Sequence, residues 1–541
     1  MGTSNSIFPR NSFLDMVVYE IYPKSFLDTN GDGIGDLNGI IRKLDYLKSL
    51  GVNAIWICPI YKSPNKDNGY DIADYRAIAP EFGEFSDFEK LRDELHARGM
   101  KLIMDLVVNH TSSEHFWFQQ AKTSRENPYH DYYIWADSPM NDWQSCFGGS
   151  AWEYNPITKE YYLHSFAIEQ PDLNWENPKV REECKNIVDF WVAHGVDGFR
   201  CDVLDFISKD FQKGKMYGGP RLHEYIQALF CRKETAGIFT VGECQLGEAD
   251  MLAVCGEKRR ELTTVFQFEH FNIIGLNKYL PTPFSFNTLK NVLVKWQNFT
   301  QEHNLIYTLF TDNHDQPYFL SKTGFGEKNR YECATLLAAM FFLLRGIPFL
   351  YQGQEYGAVN PSYASISDFR DVEGIRYYNE HKQTLPHGHI LNALNVGSRD
   401  NARRPIAWNG DENSAFGFTT TQPWIPLHSK GKEINLEKDL NSDKSVWKFY
   451  QKLLSFRNKS QTIRQGKFRD LTNCRKDCFI YERVLEEKRV IVICNFETRQ
   501  TLLLPDELTA TNFQLVLANY PDALPFQKDF RPFEVVVYES I

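Results

Sequence analysis

Ionisable and amide side chains recur in this sequence at one kind of place, the ends of short apolar runs. Asp105, Asn109 and His110 close the run KLIMDLVV, Arg200 and Asp202 sit inside GFRCDV, Glu243 ends FTVGE, and His314 with Asp315 follow YTLFTD. Arg200 and Asp202 are two residues apart, so on a strand their side chains point to the same side. Burying an ion pair is costly, and a structural salt bridge explains it less well than a chemical task. A single acid after a strand is commonly a helix N-cap. Three of them, Asp202, Glu243 and Asp315, at the ends of three parallel strands would instead face one mouth.

Several carboxylates beside an arginine and histidines, without a phosphate loop or a redox-cofactor motif, suit glycosyl transfer. One carboxylate attacks the sugar carbon and a second, kept protonated, donates to the leaving oxygen. Asp202, next to Arg200, is expected to be held ionised as the nucleophile. Glu243, between Val241–Gly242 and Cys244, has no cation adjacent in sequence and is expected to keep a raised pKa as the acid. Aromatic residues make up 14% of the chain, and the Trp and Tyr crowded between 111 and 176 would offer stacking faces to sugar rings.

The elements that must position these groups alternate. Apolar runs at 17–23, 54–60, 101–108, 198–203, 239–244, 264–269, 307–312 and 347–352 are separated by helical patterns such as 37–50, 85–98, 177–194 and 333–345. In the third of these helices Val180, Cys184, Ile187, Val188 and Trp191 form the apolar stripe. Eight β/α units close a barrel, so the chain is expected to be an α/β protein built on a (β/α)8 TIM barrel, spanning 1–110 and 177–465. Residues 111–176 lack a sustained helical period and read as an irregular inserted domain after strand three. After the helix-like 446–460, the runs CFIYERVL, RVIVICNF, TLLLP, FQLVLANY and FEVVVYES predict a C-terminal antiparallel β-sandwich over 466–541.

Composition narrows the partners. The chain has 541 residues, with 60 basic and 70 acidic side chains for a net charge of −10, which argues against nucleic acid and anionic membranes. Neither a secretory pattern nor a membrane-length apolar stretch is visible, and MGTSNS at the start reads as a disordered tip more readily than as a myristoylation signal. The 11 cysteines are scattered; Cys58, Cys201, Cys244 and Cys494 lie in strand-like runs and read as buried thiols of a reducing, cytoplasmic compartment. Cys474 and Cys478 lack the further ligands of a metal site. A small-molecule oligosaccharide is the expected partner, with the chain a monomer or weak homo-oligomer.

With these motifs in place, the sequence resembles the α-amylase superfamily, glycoside hydrolase family 13, and within it the oligo-1,6-glucosidase and α-glucosidase group. The resemblance runs over essentially the whole chain and rests on DLVVNH (105–110), QPDLNWENP (170–178), GFRCDV (198–203), VGE (241–243), DNHDQP (312–317) and SRDNARRPIAW (398–408). It implies a retaining mechanism with Asp202 as nucleophile, Glu243 as acid/base and Asp315 on the distorted sugar. It places His110, Arg200, His314, Phe166 and Gln170 around the glucose. It assigns Asp71 with Arg399, or Arg403, to the closed end that makes such enzymes exo-acting. DTNGDGIGD (28–36) offers Asp28, Asn30, Asp32, the Ile34 carbonyl and Asp36 as oxygen ligands. The run departs from an EF-hand at Gly39, yet similar loops in this family hold calcium, or sometimes magnesium, structurally.

Departures from the family pattern bear on the leaving-group side: Tyr318 replaces a usual arginine, Gln354 a usual glutamate, and RRPIAW a usual RTPMQW. Related chemistries on this scaffold are sucrose isomerisation or transglucosylation and trehalose-6-phosphate hydrolysis, the last needing a cationic pocket for which Lys213 or Lys215 are the sequence candidates. A sugar-binding or transporter-ancillary protein of the same fold would lack the catalytic set. Val203, after the expected nucleophile, accompanies α-1,6 preference in relatives where threonine accompanies α-1,4. Val203→Thr trades a methyl for a hydroxyl and is expected to move the isomaltose-to-maltose ratio of kcat/KM toward maltose by about 1–3 kcal/mol; an unchanged ratio contradicts the reading.

Overall fold

The computed structural model describes residues 13–541 apart from 245, 260, 274, 276, 474, 505–507, 509 and 510. The MGTSNS tip and Cys474 therefore lie outside the described residues. All eight expected barrel strands form: β1 (Val18–Ile21), β2 (Ala54–Ile57), β3 (Lys101–Val107), β4 (Gly198–Asp202), β5 (Phe239–Glu243), β6 (Thr264–Phe266), β7 (Thr308–Leu309) and β8 (Ile347–Tyr351). Their parallel ladders run in the order β6-β5-β4-β3-β2-β1-β8-β7. The remaining seam, between β6 and β7, is joined by side chains: Thr264 Oγ1 donates to the Ile306 carbonyl at 2.7 Å, and Thr308 Oγ1 donates to the Val265 carbonyl at 3.2 Å. Two β-branched hydroxyls thus do at the seam what main-chain groups do elsewhere. The result is a (β/α)8 barrel.

The shortness of β7 is the main difference from the expected strands, since only two of the six residues at 307–312 pair with β8. The helix expected over 37–50 is divided at Lys43 into Leu37–Arg42 and Leu44–Leu50. That expected at 333–345 begins earlier and spans Arg330–Phe342. The helix Pro178–Ala193 opens with Asn177, whose side chain accepts from the Lys179 N–H, followed by Pro at the first helical position, a start that the missing proline N–H does not weaken. Its buried residues are the five of the predicted stripe.

Between β3 and that helix, residues 111–176 carry a short helix, Phe116–Ala121, and a three-stranded antiparallel sheet of Trp135–Ala136, Glu160–Leu163 and Trp152–Asn155. Trp143, Ala151, Trp152 and Leu163 form a small core of their own there. At the other end, Lys467–Asp470, Cys478–Leu485, Lys488–Asn495, Val535–Ser540 and Phe513–Ala518 make a five-stranded antiparallel sheet. Its alternation divides two cores: Phe479, Tyr481, Val490 and Val492 join the barrel's core, whereas Ile480, Ile491 and Ile493 pack with Leu502 and Phe530 on the far face. Among the described residues no helix is long and apolar enough to cross a membrane, and eight of the cysteines are buried.

Candidate active site

β3, β4 and β5 are neighbours in the barrel, and each carries toward its C-terminal end a carboxylate that meets Arg200. From β4, Arg200, 2% exposed, places Nη1 at 2.7 Å from Asp105 Oδ1 of β3 and 2.5 Å from Asp202 Oδ1. Its Nη2 lies 2.5 Å from Glu243 Oε2 of β5. Trp56 Nε1 of β2 donates to the other Asp105 oxygen at 2.7 Å. One guanidinium fork therefore holds three carboxylates, a geometry that a lysine cannot reproduce.

This contact corrects two expectations. Glu243 has no cation beside it in sequence, yet Arg200, 43 residues earlier, touches it. Asp202 is not held at an ordinary acidic value: burial pushes it up to about 6, with Arg200 opposing and Asp105 adding to the rise. The physical reason is that a single cation shared by three buried carboxylates cannot pay back desolvation for each. Glu243 is pushed further, to about 7, by burial, against Arg200 and helped by Asp202 and Asp315. The order expected for a nucleophile and an acid survives with both values raised.

Past the short β7, the chain turns His314 and Asp315 back over the mouth. His314 is an imidazole between carboxylates: Nδ1 is 2.6 Å from Glu20 Oε1 of β1, and Nε2 is 3.0 Å from Asp315 Oδ2. Tyr70 stacks on it with ring centroids 5.2 Å apart and planes 3° from parallel. Burial disfavours the imidazolium, but Asp315 and the hydrogen bonds around the ring outweigh it and hold the pKa well above the usual histidine range. Asp315 is kept well below the usual carboxylate range; burial opposes this, and His314, Arg403 and Arg399 overcome it.

The two arginines do not compete for one role. Arg403 Nη2 lies 2.7 Å and Arg399 Nη1 3.3 Å from the same Asp315 oxygen. Arg399 Nη2 also meets Asp67 Oδ1 at 2.9 Å and Asp371 Oδ1 at 2.5 Å. Of the two acids in that loop it is thus Asp67, not Asp71, that meets Arg399. Asp71 is buried under its own loop, where Ser63 Oγ and the Lys66 and Asp67 N–H groups donate to it at 3.0, 2.9 and 2.9 Å. Gln170 links the inserted region to this end by donating to Asp67 Oδ2 at 3.1 Å. His110 Nε2 lies 3.0 Å from the Tyr70 carbonyl and Nδ1 accepts from the Asn109 amide at 3.2 Å; burial pulls its pKa down to about 4, so the ring is neutral and its one N–H is directed at that carbonyl. Phe166 packs on His110 at 5.4 Å and on Phe206 at 5.3 Å between ring centroids.

Val203 follows Asp202 with φ 34° and ψ 47°. A β-branched residue in the left-handed region is strained, and such strain gathers at functional sites. The turn brings the Val203 N–H to 3.3 Å from Glu243 Oε2. Beyond it a cavity of about 630 Å3 is lined by Val203, Phe206, Glu243, Phe271 and Gln316. Tyr318 and Gln354 do not reach this space. Tyr318 donates to the Gln352 carbonyl at 3.2 Å, and Gln354 bonds Thr311 Oγ1 at 2.8 Å and the Tyr351 N–H at 3.1 Å, both inside the barrel wall. Nor do Lys213 and Lys215, which are exposed.

The 28–36 loop stands apart from this cluster. Asp28 accepts from the N–H groups of Asn30, Gly31 and Gly33 at 3.0, 2.7 and 2.9 Å, Asn30 bonds Asp32, the Ile34 N–H donates to Asp32, and Asp36 caps the next helix through the Gly39 N–H. Asp28 and Asp36 are buried, and among the described residues no basic side chain pairs with either. An all-oxygen set of uncompensated carboxylates fits a hard cation.

Sequence reasoning passed over Glu20, Tyr70, Asp67 and Asp371. Glu20, an acid inside the apolar run VVYEIYP, was the visible signal; Asp67 and Asp371 sit in polar loops where nothing in the sequence sets them apart.

Comparison with known proteins covers the region that carries these residues. The model of the alpha-amylase catalytic domain matches residues 20–466. An oligo-1,6-glucosidase of Parageobacillus thermoglucosidasius is 42% identical, the match covering 97% of this chain and 98% of that one. The crystal structure of a Bacillus licheniformis trehalose-6-phosphate hydrolase superposes with a TM-score of 0.90 at 40% identity, covering 98% of this chain and 99% of that one. That of the trehalulose synthase of Pseudomonas mesoacidophila MX-45 superposes at 0.91 with 34% identity, over 98% and 99% of the two chains.

Arg200→Lys keeps the charge and loses the fork. Misplacing two carboxylates by an ångström is expected to lower kcat about 100-fold or more in a protein whose circular dichroism is unchanged. Activity within threefold of the parent contradicts the bridging role.

Proposed function

The chain belongs to the alpha-amylase family and is a glycoside hydrolase, and from that premise we propose that it is a retaining, exo-acting α-glucosidase that removes terminal glucose from short oligosaccharides, with α-1,6 links preferred. The observation that carries the reading is the Arg200 bridge, which fixes Asp202 and Glu243 on one fork while their surroundings set Glu243 as the weaker acid.

Ionised Asp202 attacks the anomeric carbon as protonated Glu243 gives its proton to the glycosidic oxygen, so the bond to the leaving sugar breaks and an ester to Asp202 forms. Glu243, now a carboxylate, takes a proton from water as that water attacks the same carbon, releasing glucose and restoring both groups. Asp315, held ionised by His314, Arg403 and Arg399, accepts hydrogen bonds from ring hydroxyls that strengthen as the ring flattens. Asp67, Arg399 and Asp371 wall off the far end, which supports exo action: a chain extending past the terminal glucose has nowhere to go. Val203, which lines one cavity together with Glu243, supports the α-1,6 preference.

Asp28, Asn30, Asp32, the Ile34 carbonyl and Asp36 would hold calcium, or magnesium, as a structural cation remote from the chemistry. The buried thiols of Cys58, Cys201, Cys244 and Cys494 support a reducing, cytoplasmic location.

Two outcomes test this reading. Asp202 must be ionised and Glu243 protonated, so kcat against pH is expected to be a narrow bell, falling below about 6 as Asp202 takes a proton and above about 7 as Glu243 loses one. Glu243→Gln should lower kcat on isomaltose by about 10²–10⁴-fold and abolish the alkaline limb; a persisting limb assigns the acid elsewhere. For the cation, millimolar calcium added to chelator-treated protein should raise Tm, and Asp28→Asn with Asp36→Asn should remove the rise; no shift in the parent contradicts the site.

A further inference from the structure

On the side of the His314 ring away from Asp315, three donors of different kinds meet. Glu20 comes from β1, Cys58 directly follows β2, and His314 belongs to the turn after β7. A carboxylate oxygen, the thiol sulfur and a ring nitrogen all lie within 4.8 Å of one another. His314 Nδ1 is 2.6 Å from Glu20 Oε1, and the Cys58 thiol donates to the same oxygen at 3.7 Å. All three side chains are buried. Neither attack by Asp202 nor proton donation by Glu243 makes any use of the thiol.

The surroundings of His314 are those of a metal-bound imidazole. A ligating histidine generally donates its other ring N–H to a carboxylate, which fixes the tautomer and aims the lone pair. Here Nε2 lies 3.0 Å from Asp315 Oδ2 and 2.7 Å from the Tyr70 hydroxyl, which leaves Nδ1 for Glu20 and Cys58. Sulfur, nitrogen and one carboxylate oxygen suit zinc and softer ions, whereas calcium and magnesium take oxygen throughout. A tetrahedral ion with bonds of about 2.0–2.3 Å needs its ligands roughly 3.3–3.8 Å apart, so the 2.6 Å contact must open and the 3.7 Å contact already fits. A further buried donor stands close by: Tyr22, whose ring stacks on His314 with centroids 6.3 Å apart, has a hydroxyl without a hydrogen-bond partner among the described residues.

We propose that Glu20, Cys58 and His314 form an inhibitory site for a thiophilic divalent cation, zinc above all. The ion takes the place of two protons: held by a thiolate, a neutral imidazole and a carboxylate, it releases one proton from Cys58 and one from His314, and the charge of the site is unchanged. Burial pushes the Cys58 thiol up to about 12, with His314 opposing, so only an ion that binds thiolate strongly displaces that proton. Turnover falls for two reasons. The positive charge moves from the ring to the ion, farther from Asp315, and a ring drawn off Glu20 shifts its contacts with Asp315 and Tyr70.

The test uses protein freed of transition metals by chelation and returned to millimolar calcium. One molar equivalent of cadmium, which stands in for zinc and reports on sulfur, should produce a thiolate-to-cadmium charge-transfer band in the ultraviolet. Cys58→Ser should abolish the band, whereas Cys146→Ser with Cys231→Ser, which removes the two exposed thiols, should leave it in place. Glu20→Gln keeps the shape of the side chain and removes an anionic ligand, and should weaken cadmium binding about tenfold or more. Zinc at saturation should lower kcat on isomaltose about tenfold or more, a chelator should restore it, and Cys58→Ser should remove most of that change. No band in the parent, a band that survives Cys58→Ser, cadmium affinity unchanged in Glu20→Gln, a kcat that zinc leaves alone, or equal zinc inhibition of the parent and Cys58→Ser overturns the site. The cadmium measurements do not depend on catalysis, so they decide the proposal even where no α-glucoside is cleaved, a result that overturns the hydrolase reading by itself.

Discussion

A single buried guanidinium sets the terms for the rest of the molecule. Arg200 is 2% exposed and touches Asp105, Asp202 and Glu243, so three negative charges share one positive charge where water cannot help. The second cluster repeats the imbalance: Arg399 and Arg403 meet Asp67, Asp315 and Asp371, and His314 lies between Glu20 and Asp315. Carboxyls outnumber cations in both groups. Burial therefore raises most of these acids, and the excess is relieved by protons held on carboxyls. Glu243, which keeps part of its side chain open to the cavity, is where a stored proton is useful.

The barrel makes that arrangement affordable. Adjacent parallel strands β3, β4 and β5 deliver Asp105, Arg200, Asp202 and Glu243 from consecutive ladders, so their spacing is set by strand geometry and not by loops. The loops supply what strands cannot: Asp67 and Tyr70 from the segment after β2, Phe166 and Gln170 from the inserted region, and Arg399 and Arg403 from far along the chain. Selection is divided accordingly. One side of the cluster is closed by the ion pairs of Arg399 with Asp67 and Asp371, whereas the cavity beside Glu243 is walled by Val203, Phe206 and Phe271.

Much of this was legible in the sequence because it depends on local pattern. The eight strand runs, the stripe from Val180 to Trp191 and the shared direction of Arg200 and Asp202 all follow from periods of 2 and 3.6. What escaped depends on groups far apart in the chain. Asp67 and Asp71 stand four residues apart in one polar loop, and only the fold shows that the N–H groups of that loop claim Asp71 and leave Asp67 for Arg399. Glu243 seemed free of cations because Arg200 is distant in sequence and adjacent in the barrel. The seam between β6 and β7 depends on two threonine hydroxyls that are indistinguishable in sequence from ordinary strand threonines.

The sign of a pKa shift was the least legible property. A neighbouring arginine argues for an ionised Asp202, but the net effect follows from how many other acids draw on the same guanidinium, which no single motif records. The central claim is that this guanidinium places Asp202 for direct attack on the anomeric carbon, with Glu243 on the leaving oxygen. It is tested most directly by proton NMR, before mutarotation, of the glucose released from 4-nitrophenyl α-glucoside, whose leaving group is not itself a sugar. Attack by Asp202 followed by water predicts the α-anomer; the β-anomer would mean that water attacks directly, and would contradict the account.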